Sequence, residues 1–372
     1  MKKFTCPYCY GEHTVKTCVL KCSYNAPGTK DTCYKGIVKD AQKNIPDKYK
    51  ESCMKCTHAR KALHCPVLGK EIPLKCAQIA AFPIALIGAK ASGKSNYIAV
   101  LINEIRKHMT SPFNCSLDIT ANQETVDTYR DVYASPFNEG KAEAVDTTDK
   151  TVAVPPLIYP LSFNKSKKNV LLTFYDTAGE NLDLVDRMDV MNQYIPNSKG
   201  IILLLDPLQV PGIRAQLEGK MKLPPKFSDP VAILSRVVGI IRNVKNINPK
   251  QKIDIPIALA FTKIDALEQF GIISPTDCLA RESEHLSRGA YVASEHESTK
   301  YEMEGILGQF IGKEVMEMLE NFKSWSIFGL TALGSIPNEQ NVITSGEVRP
   351  RRVLDPLLWI LAEKGFIKKV KN

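Results

Sequence analysis

No apolar run in this 372-residue sequence approaches the roughly 20 residues an α-helix needs to cross a bilayer. Stretches such as Ile201–Leu205 fall far short. The sequence begins MKKFTCPYCYGEH, without the apolar core of a secretory leader. These absences argue against a helical membrane protein or a secreted one, and a cytoplasmic protein is expected. Internal repeats and low-complexity tracts are also lacking. The remaining composition, 24% charged and 44% hydrophobic, is that of a soluble globular chain. Its length accommodates one large domain, or a large domain and a small one.

Cysteine is scarce over most of the chain. Beyond Cys76 only Cys115 and Cys278 occur, and the other nine of eleven lie at or before that position. Charge divides the same way. Residues 1–76 carry 15 basic and six acidic side chains, whereas the rest carries 34 of each. The whole net charge of +9 therefore belongs to the cysteine-rich segment. The expected organisation is a cysteine-rich module over 1–80 and a globular domain over 81–372.

Clustered cysteines in a reducing compartment are metal ligands more often than disulfides. Cys6-x-x-Cys9 and Cys53-x-x-Cys56 are knuckles of the type that aims two thiolates at one zinc ion. One arrangement groups Cys6 and Cys9 with Cys22 and Cys33. It leaves a second site for Cys53, Cys56, Cys65 and one of Cys76, His58 or His64. Another puts both knuckles on a single zinc. Cys18, Cys115 and Cys278 are not expected to ligate. Metal is favoured because this Lys-rich segment lacks the aliphatic content for its own core. A basic ribbon with Tyr8, Tyr10, Tyr24, Tyr34 and Tyr49 is compatible with nucleic acid. A solvated lysine surface around a small tyrosine core explains it equally well, so nucleic acid is possible but not favoured. Two four-thiolate zinc sites would also lower the module's charge to about +5.

From Phe82 onward, short apolar runs alternate with helical patterns. Pro83–Gly88, Gly200–Leu205, Ile255–Phe261 and Trp325–Leu330 read as buried strands, the last being the final strand. Leu157–Phe163 and Val170–Tyr175, separated by NKSKKN, read as a hairpin. Helices are expected over Tyr97–Met109, around Gln123–Tyr133, from Ser228-Asp229-Pro230, and over Val353–Leu361. The fold class is α/β, a mixed sheet covered on both faces with one antiparallel edge strand.

Gly88-Ala89-Lys90-Ala91-Ser92-Gly93-Lys94-Ser95 fits G-x-x-x-x-G-K-S between a predicted strand and a predicted helix. Such a loop curls its backbone N–H groups onto phosphate oxygens. Lys94 would reach the β- and γ-phosphates, and the Ser95 hydroxyl would hold Mg²⁺. Asn96 follows within the same turn and is counted with the nucleotide-binding residues. Asp176, ending an apolar strand, is suited to magnesium, and Gly179 can offer its N–H to a γ-phosphate. This D-x-x-G resembles the translation-factor and Ras-like GTPases, where Gln follows the glycine; here Glu180 does. Thr262-Lys263-Ile264-Asp265 is similar to the N/T-K-x-D segment of that class. An Asp265 carboxylate would accept from guanine N1–H and the exocyclic amine, and adenine has no matching donors. Ala332, in Leu330-Thr331-Ala332, resembles the segment whose N–H meets guanine O6. The switch threonine falls among Thr147, Thr148 and Thr151, with Thr148 favoured.

Together CPYCY, HCPVLGKEIP, IALIGAKASGKSNYIAVLI, DTAGE, FTKID and RRVLDPLLWIL resemble the bacterial double-GTPase family of Ras-like, TRAFAC-class P-loop GTPases. One departure is Cys65-Pro-Val-Leu68, where such ribbons repeat C-P-x-C. The resemblance implies a GTP-hydrolysing switch, with GTP/GDP, Mg²⁺ and Zn²⁺, in a bacterial conflict or defence-type system. It implies MoxR-type ATPases and von Willebrand A-type proteins as partners. The rival expectations are a non-hydrolysing GTP-binding scaffold and a nucleotide-controlled nucleic-acid-binding ribbon.

Overall fold

Short strands with few residues to pair need a neighbour to lean on, and the N-terminal module is built this way. The computed structural model describes residues 3–22, 61–73, 75–89, 91–138, 141–145, 154–176, 188–220, 223–225, 229–343 and 346–371. Within them, β1 (Phe4–Thr5) pairs antiparallel with β2 (Glu12–His13). A second small sheet joins β3 (Val19–Cys22), β4 (Lys61–His64) and β5 (Glu71–Ile72), also antiparallel. Phe4, Tyr8, Leu63 and Ile72 are buried together with Ile158 and Leu171, which belong to the large sheet.

That sheet starts at β6 (Ala80–Gly88), so the expected module boundary falls at the start of a strand. It continues with β7 (Cys115–Leu117), β8 (Leu157–Phe163), β9 (Lys168–Asp176), β10 (Gly200–Leu205) and β11 (Ile257–Phe261). After the two-residue β12 (Tyr291–Val292) comes β13 (Trp325–Gly329). Across the sheet the order is β13-β11-β10-β6-β9-β8-β7. Neighbours from β13 to β9 run parallel. The hairpin makes β8 antiparallel to β9, as expected. However, β8 is not the edge: β7 pairs along its outer side. Three residues in a polar stretch carry too little alternation to announce a strand. Nor is β13 the last strand, because β14 (Lys369–Val370) pairs parallel with β12.

Alternation along the inner strands sends side chains to two cores. Ile84 and Leu86 join one core with Ile98, Leu101, Leu357 and Leu361. Ala85 and Ile87 join the other with Ile195, Leu234, Val237 and Ile241. The first face is covered by α1 (Lys94–Glu104), and later by the closing helix Asp355–Glu363. The second is covered by Met188–Asn197 and Pro230–Lys245. The latter starts where expected. Pro230 takes the first turn, and Asp229 accepts from Val231 N–H at 2.9 Å. The C-terminal ends of β6, β10 and β11 share one edge, where α/β sheets bind their ligands.

Candidate nucleotide site and cysteine cluster

β6 delivers Gly88 to that edge in register with Leu204 of β10. A Cβ on Gly88 would overlap Ser92 Oγ and lie 3.2 Å from the Leu204 carbonyl oxygen. The close approach, rather than φ, therefore demands glycine. At Gly93 the reason is conformational: φ is 80°, and the residue caps α1 without a side chain. Between them Ser92 N–H donates to Ala89 O at 3.1 Å. Ser92 Oγ is buried and has no hydrogen-bond partner among the described residues. Lys94 is buried in the first turn of α1, followed by Ser95. Asn96 Oδ1 accepts from Val145 N–H at 2.7 Å, tying α1 to the chain just ahead of the expected switch threonines.

The T-K-x-D segment closes onto this loop. Thr262 Oγ1 donates to Ser92 O at 2.8 Å, and Thr262 N–H donates to Leu205 O at 2.9 Å. Lys263 adopts φ 55° and caps the helix α2 (Ile264–Gln269). Its Nζ donates to Ala91 O at 2.9 Å and to Asp206 Oδ2 at 2.7 Å. Asp265 stands in the first turn of α2, with Oδ1 buried and without a partner among the described residues. Ile264 N–H donates to Leu330 O at 3.3 Å, which brings the segment of Ala332 alongside. Five expected site residues from separate parts of the chain thus meet at one edge: Ser92, Thr262, Lys263, Asp265 and Ala332. The backbone of Asp176 ends β9 opposite Leu86, on the other flank of β6.

Lys90, Thr148, Gly179, Glu180, Cys33, Cys53 and Cys56 lie outside the described residues, as do the side chains of Cys22 and Asp176.

Three of the described cysteines, Cys6, Cys9 and Cys65, form one cluster with His13. Ligand atoms of Cys6, Cys9, His13 and Cys65 all lie within 4.8 Å of one another. His13 Nε2 is 3.1 Å from Cys9 Sγ and 3.9 Å from Cys65 Sγ. Cys65, expected in a second site, shares this one. Two matching turns build it. Tyr10 N–H donates to Cys6 O at 3.0 Å, and Gly69 N–H donates to Cys65 O at 2.9 Å. In each turn a backbone N–H also reaches the first sulfur: Tyr8 to Cys6 Sγ at 3.5 Å, Leu68 to Cys65 Sγ at 3.4 Å. Leu68 occupies the place of a second thiolate and is 55% exposed. His13, from β2, stands in for it. Three thiolates and an imidazole at this spacing fit tetrahedral Zn²⁺. Burial raises the thiol pKa of Cys6 and Cys9, and raises that of Cys18 to about 11. A bound metal would therefore displace protons from the ligating thiols.

Sequence reasoning did not select His13, because no spacing rule marks a lone histidine. It also missed Asp206, and the seat of Tyr10. Tyr10 is buried in the second core, 6.0 Å in ring centroid from both Tyr175 and Tyr194.

A phosphate-type loop at the C-terminal edge of a mostly parallel sheet, with T-K-x-D bonded to it, defines a P-loop GTPase fold. The chain belongs to the Double-GTPase 2 family, whose profile matches residues 82–321. It is 24% identical over 324 residues to SaeC of Mycolicibacterium smegmatis (strain ATCC 700084 / mc(2)155), named provisionally as an ESX-1 scaffolding and assembly protein. That alignment covers 82% of this chain and 80% of SaeC. Among solved structures, Methanosarcina barkeri Roco2 RocCORdC bound to GDP matches at 13% identity and TM-score 0.28, covering 76% of this chain and 49% of that one. The SRβ-GTP/SRX complex of the signal recognition particle receptor from Chaetomium thermophilum matches at 14% and 0.29, covering 70% and 94%. The chain spans about half the length of the Roco2 structure. Family and fold support a guanine nucleotide as ligand. Among the described residues, no helix is long and apolar enough to cross a membrane.

Proposed function

We propose that this chain binds GTP at the C-terminal edge of its sheet and hydrolyses it to GDP and phosphate as a molecular switch. The carrying observation is the buried, unpartnered Oδ1 of Asp265. A buried carboxylate oxygen without a donor is destabilising by about 1–3 kcal/mol or more. Guanine N1–H and its exocyclic amine supply donors for such a carboxylate, while adenine leaves it unpaired. The ligand that relieves this group is thus a guanine nucleotide.

In this reading Gly88, Ala89, Lys90, Ala91, Ser92 and Gly93 wrap the phosphates with backbone N–H groups, and Lys94 neutralises charge developing on them. Ser95 and Asp176 would hold Mg²⁺, which would supply charge screening to the phosphates. Asn96 acts through Val145, holding the approach to Thr148. Gly179 senses the γ-phosphate, Glu180 stands where the class places its water-orienting glutamine, and Ala332 N–H faces the base. Cys6, Cys9, Cys65 and His13 would hold a Zn²⁺ ion in a structural role, tying the two turns together. The proposed setting, a bacterial conflict or defence-type system with MoxR-type and von Willebrand A-type partners, rests on family resemblance.

A second reading is a scaffold that binds GTP without cleaving it. The name of the SaeC relative favours it, as does Glu180 standing in the sequence where the class has its water-orienting glutamine. Single-turnover GDP formation by wild type and Lys94→Ala separates the two. Wild-type cleavage lost on substitution supports the switch; bound, uncleaved GTP supports the scaffold. A cleavage rate indifferent to Lys94→Ala rejects the enzyme reading, and copurified adenine nucleotide rejects both.

A further inference from the structure

The roles proposed above leave one buried charge of the site unused. Asp206 follows β10, the strand between the phosphate-loop strand β6 and the specificity strand β11. It is only 3% exposed, and both of its carboxylate oxygens are engaged. Oδ1 accepts from Leu208 N–H at 2.9 Å, capping the short turn Pro207–Gln209. Oδ2 accepts from Lys263 Nζ at 2.7 Å. The same ammonium donates to Ala91 O in the phosphate loop at 2.9 Å.

A lysine stem is flexible, with four carbons and several rotamers to lose when a ligand arrives. Here that freedom is already removed. The stem is stretched between a backbone carbonyl of the phosphate loop and a fixed carboxylate. The carboxylate is itself anchored to a turn that buries Pro207, Leu208 and Gln209. The backbone of Lys263 is held too, in the left-handed region at φ 55°. Fixing a group before binding improves affinity by lowering the entropy lost on binding.

We infer that Asp206 is a positioning residue for guanine-nucleotide binding: through Lys263 it pre-sets the wall on which the base lies and locks that wall to the phosphate loop. The inference rests on the guanine reading of the T-K-x-D segment. It goes beyond it by assigning affinity to a residue outside all of the sequence motifs.

Asp206 also joins two functions that motif reading treats separately. Base recognition sits on β11 and phosphate recognition follows β6. Thr262 Oγ1 to Ser92 O provides one tie between them. The chain Asp206–Lys263–Ala91 O provides a second, and only this one contains a charge pair. Without the carboxylate the ammonium keeps one strong partner and its stem regains rotamers. Bound nucleotide should then leave faster, whether diphosphate or triphosphate, because the base wall is common to both.

The test is stopped-flow release of a ribose-labelled fluorescent GDP from four full-length proteins: wild type, Asp206→Asn, Lys263→Met and the double variant. Asparagine keeps an oxygen for Leu208 N–H and removes the charge. Asp206→Asn should release GDP about tenfold faster, Lys263→Met comparably, and the double variant no faster than Lys263→Met alone. That non-additivity is a readout a general structural role would not produce. With GTP, the loss should fall on KM far more than on kcat. Should the asparagine variant not fold, Asp206→Ser carries the same test.

Wild-type release from Asp206→Asn, or effects that multiply in the double variant, overturns the inference while leaving the guanine reading intact. Wild type that retains adenine and not guanine nucleotide overturns both.

Discussion

Gly88 and Gly93 occupy the two glycine positions of one motif for different physical reasons, and the difference can be measured. At Gly93 an added Cβ meets nothing closer than Thr262 Oγ1 at 4.0 Å among the described residues. Gly93→Ala should therefore lower stability by about 1–2 kcal/mol through the left-handed backbone alone. At Gly88 the obstacle is Ser92 Oγ, with the Leu204 carbonyl behind it. Gly88→Ala should weaken nucleotide binding, and adding Ser92→Ala should restore part of it. Titration of labelled GDP into the single and double variants checks this; no recovery in the double would place the obstruction in the backbone. The motif was legible in the sequence because G-x-x-x-x-G-K-S states a backbone requirement in local residue types. His13 and Asp206 were not legible. A lone histidine in a two-residue strand and an aspartate after an apolar run are each common, and both acquire meaning only from partners far along the chain.

At the scale of elements, helix Ala293–Phe310 was the least legible. Its run ASEHESTKYE offers little apolar periodicity, yet Thr299, Met303 and Leu307 are buried. What it packs inward near its start is polar. Glu295 accepts from Arg352 Nη2 at 2.9 Å, and Arg352 Nη1 donates to Asp355 at 3.0 Å. His296 Nε2 lies 2.7 Å from Ser326 Oγ, and its ring stacks on Phe328. Burial, with His285 and the cations Lys300, Lys369 and Arg352 nearby, lowers the His296 pKa to about 3. The unfolded chain titrates near 6.5. Below that pH the unfolded state takes up a proton that the folded state refuses. Stability is thus fully present above about 6.5 and falls toward pH 3, by up to about 1.4 kcal/mol per pH unit. His296→Gln should flatten the slope of urea midpoints between pH 6.5 and 4; parallel profiles would exonerate the histidine. The strands were far easier to read. Buried runs such as Gly200–Leu205 and Ile257–Phe261 announce themselves. β7 did not, since three residues supply barely more than one alternation.

At the scale of the molecule, composition separates a basic cysteine-rich module from a balanced domain, but packing does not. Ile158 and Leu171 of the large sheet are buried under the module. Tyr10, next to the cysteine–histidine cluster, sits against Tyr175 and Tyr194. Deleting the module would strip these surfaces, so its role is better probed by point substitution. On the zinc reading of the cluster, removing metal should disturb the domain as well. Chelation is expected to lower the thermal midpoint by roughly 5 °C or more and to change the tyrosine signal in near-UV circular dichroism. Loss of metal with both unchanged would mean that the cluster is not what seats Tyr10. The composition boundary was legible because charge and cysteine are counted locally. The docking was not, because the apolar partners of the module belong to strands that look complete by themselves.

Tyr10 also sets an order on biosynthesis. The first turn of the cluster emerges from the ribosome early, and Cys65 can follow soon after. Yet Tyr10 has no aromatic seat until Tyr175 and Tyr194 have been made. The nascent module must therefore wait, with an aromatic ring exposed, while β6, the hairpin and the helix Met188–Asn197 are synthesised. Metal captured during that wait would shield the thiols from oxidation and hold the turn in its docking shape. On the zinc reading of the cluster, metal bound before Tyr194 is made would then raise the share of chains that dock the module correctly.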